Sequence, residues 1–521
     1  MVSDSHDRYL EHGLKMPSRM GVLNSLDKFD AEFFSIHPKQ AMTLEPRIRK
    51  LLEVSHEAIL DAGLNPKSIQ GSNTGVFVAT CDSESVAISR RSFTNHNAYS
   101  ILGSTTPMLA SRISFFYDLH GPSFVLDTAC SSSGVAIHQA IQAIQTGMCD
   151  AAIVAGARLY HDAITGYMFH ALDMTSADGK CKVFDAAADG YARSEAAVAI
   201  YICKKEVAKR AYATLVHVGI NNDGYKDEGI TFPSTIMQER VIRKVYQDIG
   251  LDPRKVEYFE AHGTGTKVGD PEELSAITRV FCEGRNEALP IGSVKSNMGH
   301  SEPVASLCSI AKLVLSHIAK TIPANLHYRT PNPNIPALLD GRVQVVDKNQ
   351  PFDARYVRIN SLGFGGTNVH ILLEFDNQQE YERPWTPLTP LILSCSGRTE
   401  VAVRYFLEKA LTHKQDQHFV KLLHELSIED IPRHPYRAYV VAGPDNSEIF
   451  LDKLEQNKSI WFIFSGMGSQ WPGMTKDLIK FDAFRISITR SAEYLATVGF
   501  DLIKVLESGD KALFEDFKNA M

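Results

Sequence analysis

Residues 124–140 read Phe-Val-Leu-Asp-Thr-Ala-Cys-Ser-Ser-Ser-Gly-Val-Ala-Ile-His-Gln-Ala. The apolar run 124–126 predicts a buried strand, and residues 134–140 predict a helix. Cys130 then sits at a helix N-terminus, where free backbone N–H groups and the positive end of the dipole favour a thiolate. The thiolate is the attacking form, so such a position suits a nucleophile. Read alone, Cys130 is equally a buried core thiol.

The surrounding chain narrows the function classes. Its 521 residues are 44% hydrophobic and 22% charged, with a net charge of -7, the composition of a soluble globular protein of about two to four domains. Mild acidity and the lack of a Lys/Arg run argue against a nucleic-acid binder. The eight cysteines form no C-x-x-C pair. They read as scattered reduced thiols of a cytoplasmic protein. Residues 1–7 carry no apolar signal region, and no run is long enough to span a bilayer.

From residue 73 to 374 short apolar runs alternate with helical stretches. Runs 74–80, 123–126, 151–155 and 196–202 form one series. Runs 214–219, 256–260, 290–294, 357–361 and 369–374 form a second. Such runs predict buried sheets of an α/β fold in two similar lobes. The polar stretch 377–383, followed by Pro384, Pro387 and Pro390, marks a boundary. A smaller unit follows, with a helix at 399–413 and a strand at 438–442. A third segment opens at 460–464 with a turn at 465–470.

Two histidine motifs lie at strand ends. Glu260-Ala261-His262-Gly263-Thr264-Gly265-Thr266 presents a His between small residues, with two hydroxyls that can bond an amide-bearing ligand. The bland alternative is a glycine-rich loop whose His serves a local carbonyl. Lys295-Ser296-Asn297-Met298-Gly299-His300 precedes an apolar helix, whose dipole keeps His300 neutral. Lys295 either tunes charge there or is a solvated strand-end lysine. The turn Gly363-Phe364-Gly365-Gly366 lets backbone approach a ligand closely. Its spacing is not G-x-G-x-x-G, which argues against a dinucleotide site. A cysteine with two histidines suggests covalent acyl chemistry, with N–H donors stabilising an enolate or oxyanion. No metal motif is present.

These four motifs, in this order, closely resemble the β-ketoacyl synthase domain. Residues 33–40, 221–233, 266–271 and 464–474 further resemble animal type I fatty acid synthase or its animal polyketide synthase relatives. The resemblance covers nearly the whole chain. It implies a thiolase-like α/β fold of two related lobes layered α-β-α-β-α, followed by a small α/β linker domain. The lobes would span 1–205 and 206–375, the linker 384–458, and a truncated acyltransferase start 459–521. It implies decarboxylative Claisen condensation, with Cys130 taking an acyl chain from the phosphopantetheine of an acyl carrier protein. His262 and His300 would promote malonyl decarboxylation. The N–H groups of Cys130 and Phe364 would form the oxyanion hole, with Phe364 also a gate. Lys295 would order the site, and Thr264 and Thr266 would touch pantetheine. A homodimer through the strand before Cys130 is implied, with no bound cofactor or metal, no nucleic acid and no membrane insertion.

Departures from the family pattern set further expectations. The chain is expected to begin after the family's first strand, leaving a gap in the centre of the first sheet. It is expected to end before the acyltransferase Ser and His, exposing apolar surface. Gly134, where relatives carry bulkier residues, would widen the pocket beside Cys130. The competing readings are a catalytically silent or poorly folded fragment, polyketide rather than fatty acid extension, and a thiolase. The last would need a second cysteine, which the region 363–368 lacks.

Overall fold

A computed structural model of the chain describes residues 2–3, 17, 19–91, 98–375, 385–387, 390–429, 431–443, 448–454, 461–463, 471–508, 510 and 512. The polar stretch 377–383 and the turn expected at 465–470 lie outside them.

The first sheet holds β1 (Thr74–Ala79), β2 (Ser123–Leu126), β3 (Ala151–Arg158) and β4 (Ala196–Cys203) in the order β2-β1-β3-β4. β1 is parallel to both neighbours, and β4 runs antiparallel to β3. The second sheet holds β5 (Thr214–Asn222), β6 (Tyr258–Glu260), β7 (Leu289–Gly292), β8 (Val343–Val345), β9 (Tyr356–Leu362) and β10 (Thr367–Glu374). Its order is β8-β7-β6-β9-β10-β5. The run β7-β6-β9-β10 repeats the run β2-β1-β3-β4, including one antiparallel pair at the same end. That repeat is the pair of related lobes.

Parallel neighbours need crossover connections, and helices supply them. They include α1 (Pro46–Asp61), α2 (Met108–Tyr117), α3 (Ser132–Gln145), α4 (Thr235–Ile249), α5 (Gly269–Phe281) and α6 (Ala305–Ile318). The strand period of two sends Val76 and Val78 to one face and Phe77 and Ala79 to the other. The first face packs on Leu51 and Leu52 of α1 and Ile113 of α2. The second shares a core with α3, α6, β9 and β10. Helices α4 and α5 cover the far face of the second sheet. The layers therefore run α-β-α-β-α. Each burial of a Val or Leu contributes roughly 1.5–3 kcal/mol.

One expectation is corrected. The first sheet has no central gap, because pairing is continuous from β2 to β4. The second sheet carries its own first strand, β5, beyond β10. The equivalent place in the first sheet is the outer flank of β4, so an added strand there would extend an edge.

A smaller antiparallel sheet follows, β11 (Leu391–Gly397), β12 (Tyr436–Ala442) and β13 (Ile449–Lys453), paired in that order. Val403 and Leu407 of α7 (Glu400–Thr412) and Val420 and Leu423 of α8 (Gln417–Ser427) pack on Leu393 and Val440. Residues 454–521 form a separate unit. Its helix α9 (Asp482–Ala496) buries no residue, and Trp461, Phe462 and Ile463 are exposed. Among the described residues no helix is long and apolar enough to cross a membrane.

Candidate active site

The corner between β2 and α3 places Cys130. Ala129 takes a left-handed φ of 58°, which turns the chain sharply just before the cysteine. Serine hydroxyls hold that turn. Ser132 Oγ accepts the Thr128 N–H at 2.9 Å and donates to the Ala129 carbonyl, and Ser131 Oγ donates to the Thr128 carbonyl at 2.9 Å. Ser133 Oγ accepts the Ser306 N–H at 3.1 Å, tying α3 to α6. All three serines are fully buried, so this run is scaffolding.

His262 lies on the loop after β6. Glu273 on α5 accepts the His262 and Gly263 N–H groups, both at 2.8 Å, and the Asn360 side-chain amide at 3.0 Å. Asp270 accepts the Gly265 N–H at 3.0 Å and the Phe184 N–H at 2.8 Å. Two buried carboxylates thus hold a glycine-rich loop by its amides. Lys295 is buried, not solvated, and its ammonium donates to the His262 carbonyl at 2.6 Å. His300 follows on the path from β7 to α6. Its ring lies 5.4 Å from that of His262, nearly perpendicular.

Hydrogen bonding assigns both tautomers. The Leu362 N–H donates to His262 Nδ1 at 3.3 Å, and the Glu302 N–H donates to His300 Nδ1 at 3.2 Å. A nitrogen that accepts carries no proton, so each neutral ring bears its hydrogen at Nε2. His300 Nε2 is buried without a partner among the described residues. Burial and the Lys295 charge push His300 down to about 3, and burial, Lys295 and His300 hold His262 well below the usual range. Burial also lowers Lys295. Both rings are neutral at physiological pH. Burial is the largest cause, with the Lys295 charge next.

Residues at and just after the end of β9 join the cysteine to the histidines. Ser361 Oγ donates to the Cys130 carbonyl at 2.9 Å, and the Phe364 N–H reaches the Cys130 sulfur. Gly363 can carry no side chain, since a Cβ there would stand 2.6 Å from the Thr128 carbonyl oxygen. The Phe364 ring is partly exposed and meets Phe169 edge-on at 5.9 Å. Thr264 Oγ1 and Thr266 Oγ1 lie 3.2 Å apart and bond each other.

Two expectations change. Burial pushes the Cys130 thiol up to about 12, outweighing the nearby lysine and the Phe364 N–H, so the resting group is a thiol and not a thiolate. Gly134 is not room in a pocket. A Cβ there would meet Val369 Cγ1 at 2.7 Å and Ser306 Oγ at 3.0 Å, so the glycine permits close packing of α3 on the second lobe. Glu273 and Glu302 stand outside every motif read from the sequence, and Asp270 lies within the stretch 266–271 but was given no role there. Their signal was acidic residues at positions that a core-facing helix or turn must bury.

Taken together, the sulfur takes a backbone N–H, and adjacent residues of β9, Ser361 and Leu362, bond the Cys130 carbonyl and the ring of the first of two neighbouring neutral imidazoles. Such a set suits covalent acyl transfer with stabilisation of an enolate or oxyanion. Comparisons with known proteins agree. The β-ketoacyl synthase N-terminal domain family matches residues 3–208, its C-terminal domain 212–329, and the ketoacyl-synthetase C-terminal extension 331–441. The acyl transferase domain family matches 461–521. A fatty acid synthase from Anser anser anser is 48% identical over 316 residues, covering 61% of this chain and 90% of that one. A phenolphthiocerol/phthiocerol polyketide synthase from Mycobacterium tuberculosis is 35% identical over 94% of this chain, which spans 28% of that protein's length. The ketosynthase from module 6 of the bacillaene synthase from Bacillus subtilis 168 superposes with a TM-score of 0.74 at 26% identity, over 100% of this chain and 90% of that one. Fold, site and relatives agree, and the chain belongs to the β-ketoacyl synthase family shared by fatty acid and polyketide synthases.

Proposed function

We propose that this chain is the condensing part of a multifunctional synthase of the animal fatty acid synthase type, with residues 1–205 and 206–375 as its two lobes. Residues 384–458 would be the linker domain and 459–521 the start of an acyltransferase. The higher identity with the Anser anser anser protein supports the fatty acid branch over polyketide extension.

In this reading the Cys130 thiol attacks an acyl thioester on the phosphopantetheine arm of an acyl carrier protein. The new carbon–sulfur bond forms as the carrier sulfur leaves with the proton. Malonyl-carrier then enters. The bond between its α-carbon and carboxylate breaks, CO2 departs, and the electron pair moves to the thioester oxygen as an enolate. The Nε2–H groups of His262 and His300 donate to that oxygen. The α-carbon attacks the acyl carbon, and the tetrahedral oxyanion takes the N–H groups of Cys130 and Phe364. Collapse releases the Cys130 sulfur and a β-ketoacyl-carrier. Burial of the site protects the carbanion from water.

The remaining roles follow the same geometry. Lys295 orders the His262 loop, the Phe364 ring gates entry, and Thr264 and Thr266 meet the pantetheine amides. Strand β2 is an edge with Phe124 exposed, which suits a homodimer through it. Eight free cysteines suit a reducing, cytoplasmic setting.

The observation that carries the reading is that both histidines accept at Nδ1 and so carry Nε2–H, while Ser361, next to the residue that bonds His262, bonds the Cys130 carbonyl. Intact mass after incubation with an acyl-carrier thioester tests it. The wild type should gain one acyl group and Cys130→Ala none. An adduct on both, or on neither, removes the assignment.

A further inference from the structure

Glu302 lies two residues beyond His300 and belongs to none of the site motifs. It is buried, and its backbone takes a left-handed φ of 49°, a conformation that side-chain-bearing residues rarely adopt. In that conformation its N–H points at His300 Nδ1, 3.2 Å away. Its carboxylate is gripped from the other lobe. One oxygen meets Arg193 Nε and the other Arg158 Nε, each at 2.9 Å. Both guanidiniums also reach Glu84 and pack on the Tyr160 ring. Glu84 in turn accepts the His161 and Asp162 N–H groups. Two buried cations thus meet two buried anions, so the cluster is neutral as a whole.

A stabilising cluster alone would not require a left-handed backbone. We propose that Glu302 is a positioning residue for decarboxylation: Arg158 and Arg193, by holding its carboxylate, fix the backbone that aims its N–H at His300 Nδ1. This inference rests on the condensing reading given above. Without that N–H, His300 can place its hydrogen on either nitrogen, and the Nε2–H donor is present only part of the time. The first lobe thereby sets the protonation pattern of a histidine on the second. The cause is geometric, because any residue supplies the N–H and only the clamped carboxylate holds it in place.

The test uses the full chain with Glu302→Ala, Glu302→Gly and Arg193→Gln, and two separate readouts. One is acylation of Cys130 by intact mass, which needs no donor from His300. The other is CO2 release from malonyl-carrier on the acylated protein. Glu302→Ala should acylate normally and lose CO2 release by about tenfold or more, less than the ~10²–10³ of removing a donor outright. Glu302→Gly keeps the N–H and adopts a left-handed φ without cost, so it should recover most of the rate lost in Glu302→Ala. Arg193→Gln, with Arg158 still in place, should show a smaller selective loss. Three results overturn the inference: CO2 release at the wild-type rate in Glu302→Ala, a glycine variant no better than alanine, or parallel loss of acylation and CO2 release in every variant. A wild type that acylates Cys130 yet releases no CO2 would instead overturn the condensing reading itself.

Discussion

In the first lobe the chain leaves β2, passes Cys130 and enters α3; in the second it leaves β7, passes His300 and enters α6. The two paths occupy equivalent places in the repeated sheet order. Beyond that the lobes diverge. At the end of β1, Thr80 and Cys81 accept the Arg47 guanidinium. At the end of the equivalent β6, the loop carries His262. Between β3 and β4 a long connection brings in Tyr160, Tyr191 and Arg193, while β9 and β10 are joined by the short turn that offers the Phe364 N–H. One lobe contributes the reacting sulfur and buried scaffolding charges. The other contributes both imidazoles and a backbone donor. A nucleophile and its donors must stand within reach of each other, and two lobes packed through α3 and α6 hold that spacing.

The largest expected effect tests that division. Cys130→Ala should lower condensation by at least ~10³-fold, since the reacting sulfur is removed from between the donors. CO2 release from malonyl-carrier should persist, because its donors sit on the other lobe. If CO2 release falls with condensation, the lobes are not separable in this way. The reverse experiment is His262→Ala or His300→Ala. Each should lower condensation by roughly 10²–10³-fold while intact mass still records an acyl group on Cys130. Loss of acylation in either variant would mean that the histidine acts on the thiol itself.

How much of this was legible in the sequence follows from the physics of each part. All nine strands expected in the two lobes are present, and those buried on both faces, such as β1 and β3, must be continuous apolar runs. Strand β8, three residues long, gave no such run. Cys130, His262, His300 and the turn at Gly363 were legible because small residues and glycines around a reactive side chain are a local pattern. Glu302 was not, since its partner Arg193 lies 109 residues away, Arg158 lies further still, and they meet only in the fold. Nor was the resting state of Cys130. A helix N-terminus is visible in sequence, whereas the burial that outweighs it is not. Gly134 was misread for a similar reason, because Val369 opposes it from the other lobe.

The pH responses sharpen the contrast between the lobes. Cys130, pushed up to about 12, should react with iodoacetamide at a rate still rising about tenfold per pH unit through mild alkali. Peptide mass mapping reads this directly, and a plateau near neutral pH would reveal a thiolate. The histidines act in the opposite direction. Folded His300 titrates near 3, against the ordinary 6.5 that the unfolded chain retains. Between those values the unfolded state binds more protons, so stability is fully present above the window and falls as pH drops through it. His262→Asn should flatten part of that slope in urea titrations across the window. An unchanged slope would mean that His262 is charged in the fold.

The smallest effect concerns the packing that joins the lobes. In Gly134→Ala the helix gains about 1 kcal/mol of propensity. Against this, the new methyl must displace Val369 Cγ1 from 2.7 Å and Ser306 Oγ from 3.0 Å. Both neighbours belong to the second lobe, and Val369 is fully buried in the shared core. Overpacking of that kind costs about 1–3 kcal/mol, so the net change should be a loss of about 1 kcal/mol, read as a lower urea midpoint. Because α3 also carries the Cys130 corner, condensation should fall further than the midpoint alone explains. A raised midpoint with full activity would mean that α3 can move away from β10 without disturbing the sulfur, and that the spacing of the lobes does not depend on this glycine.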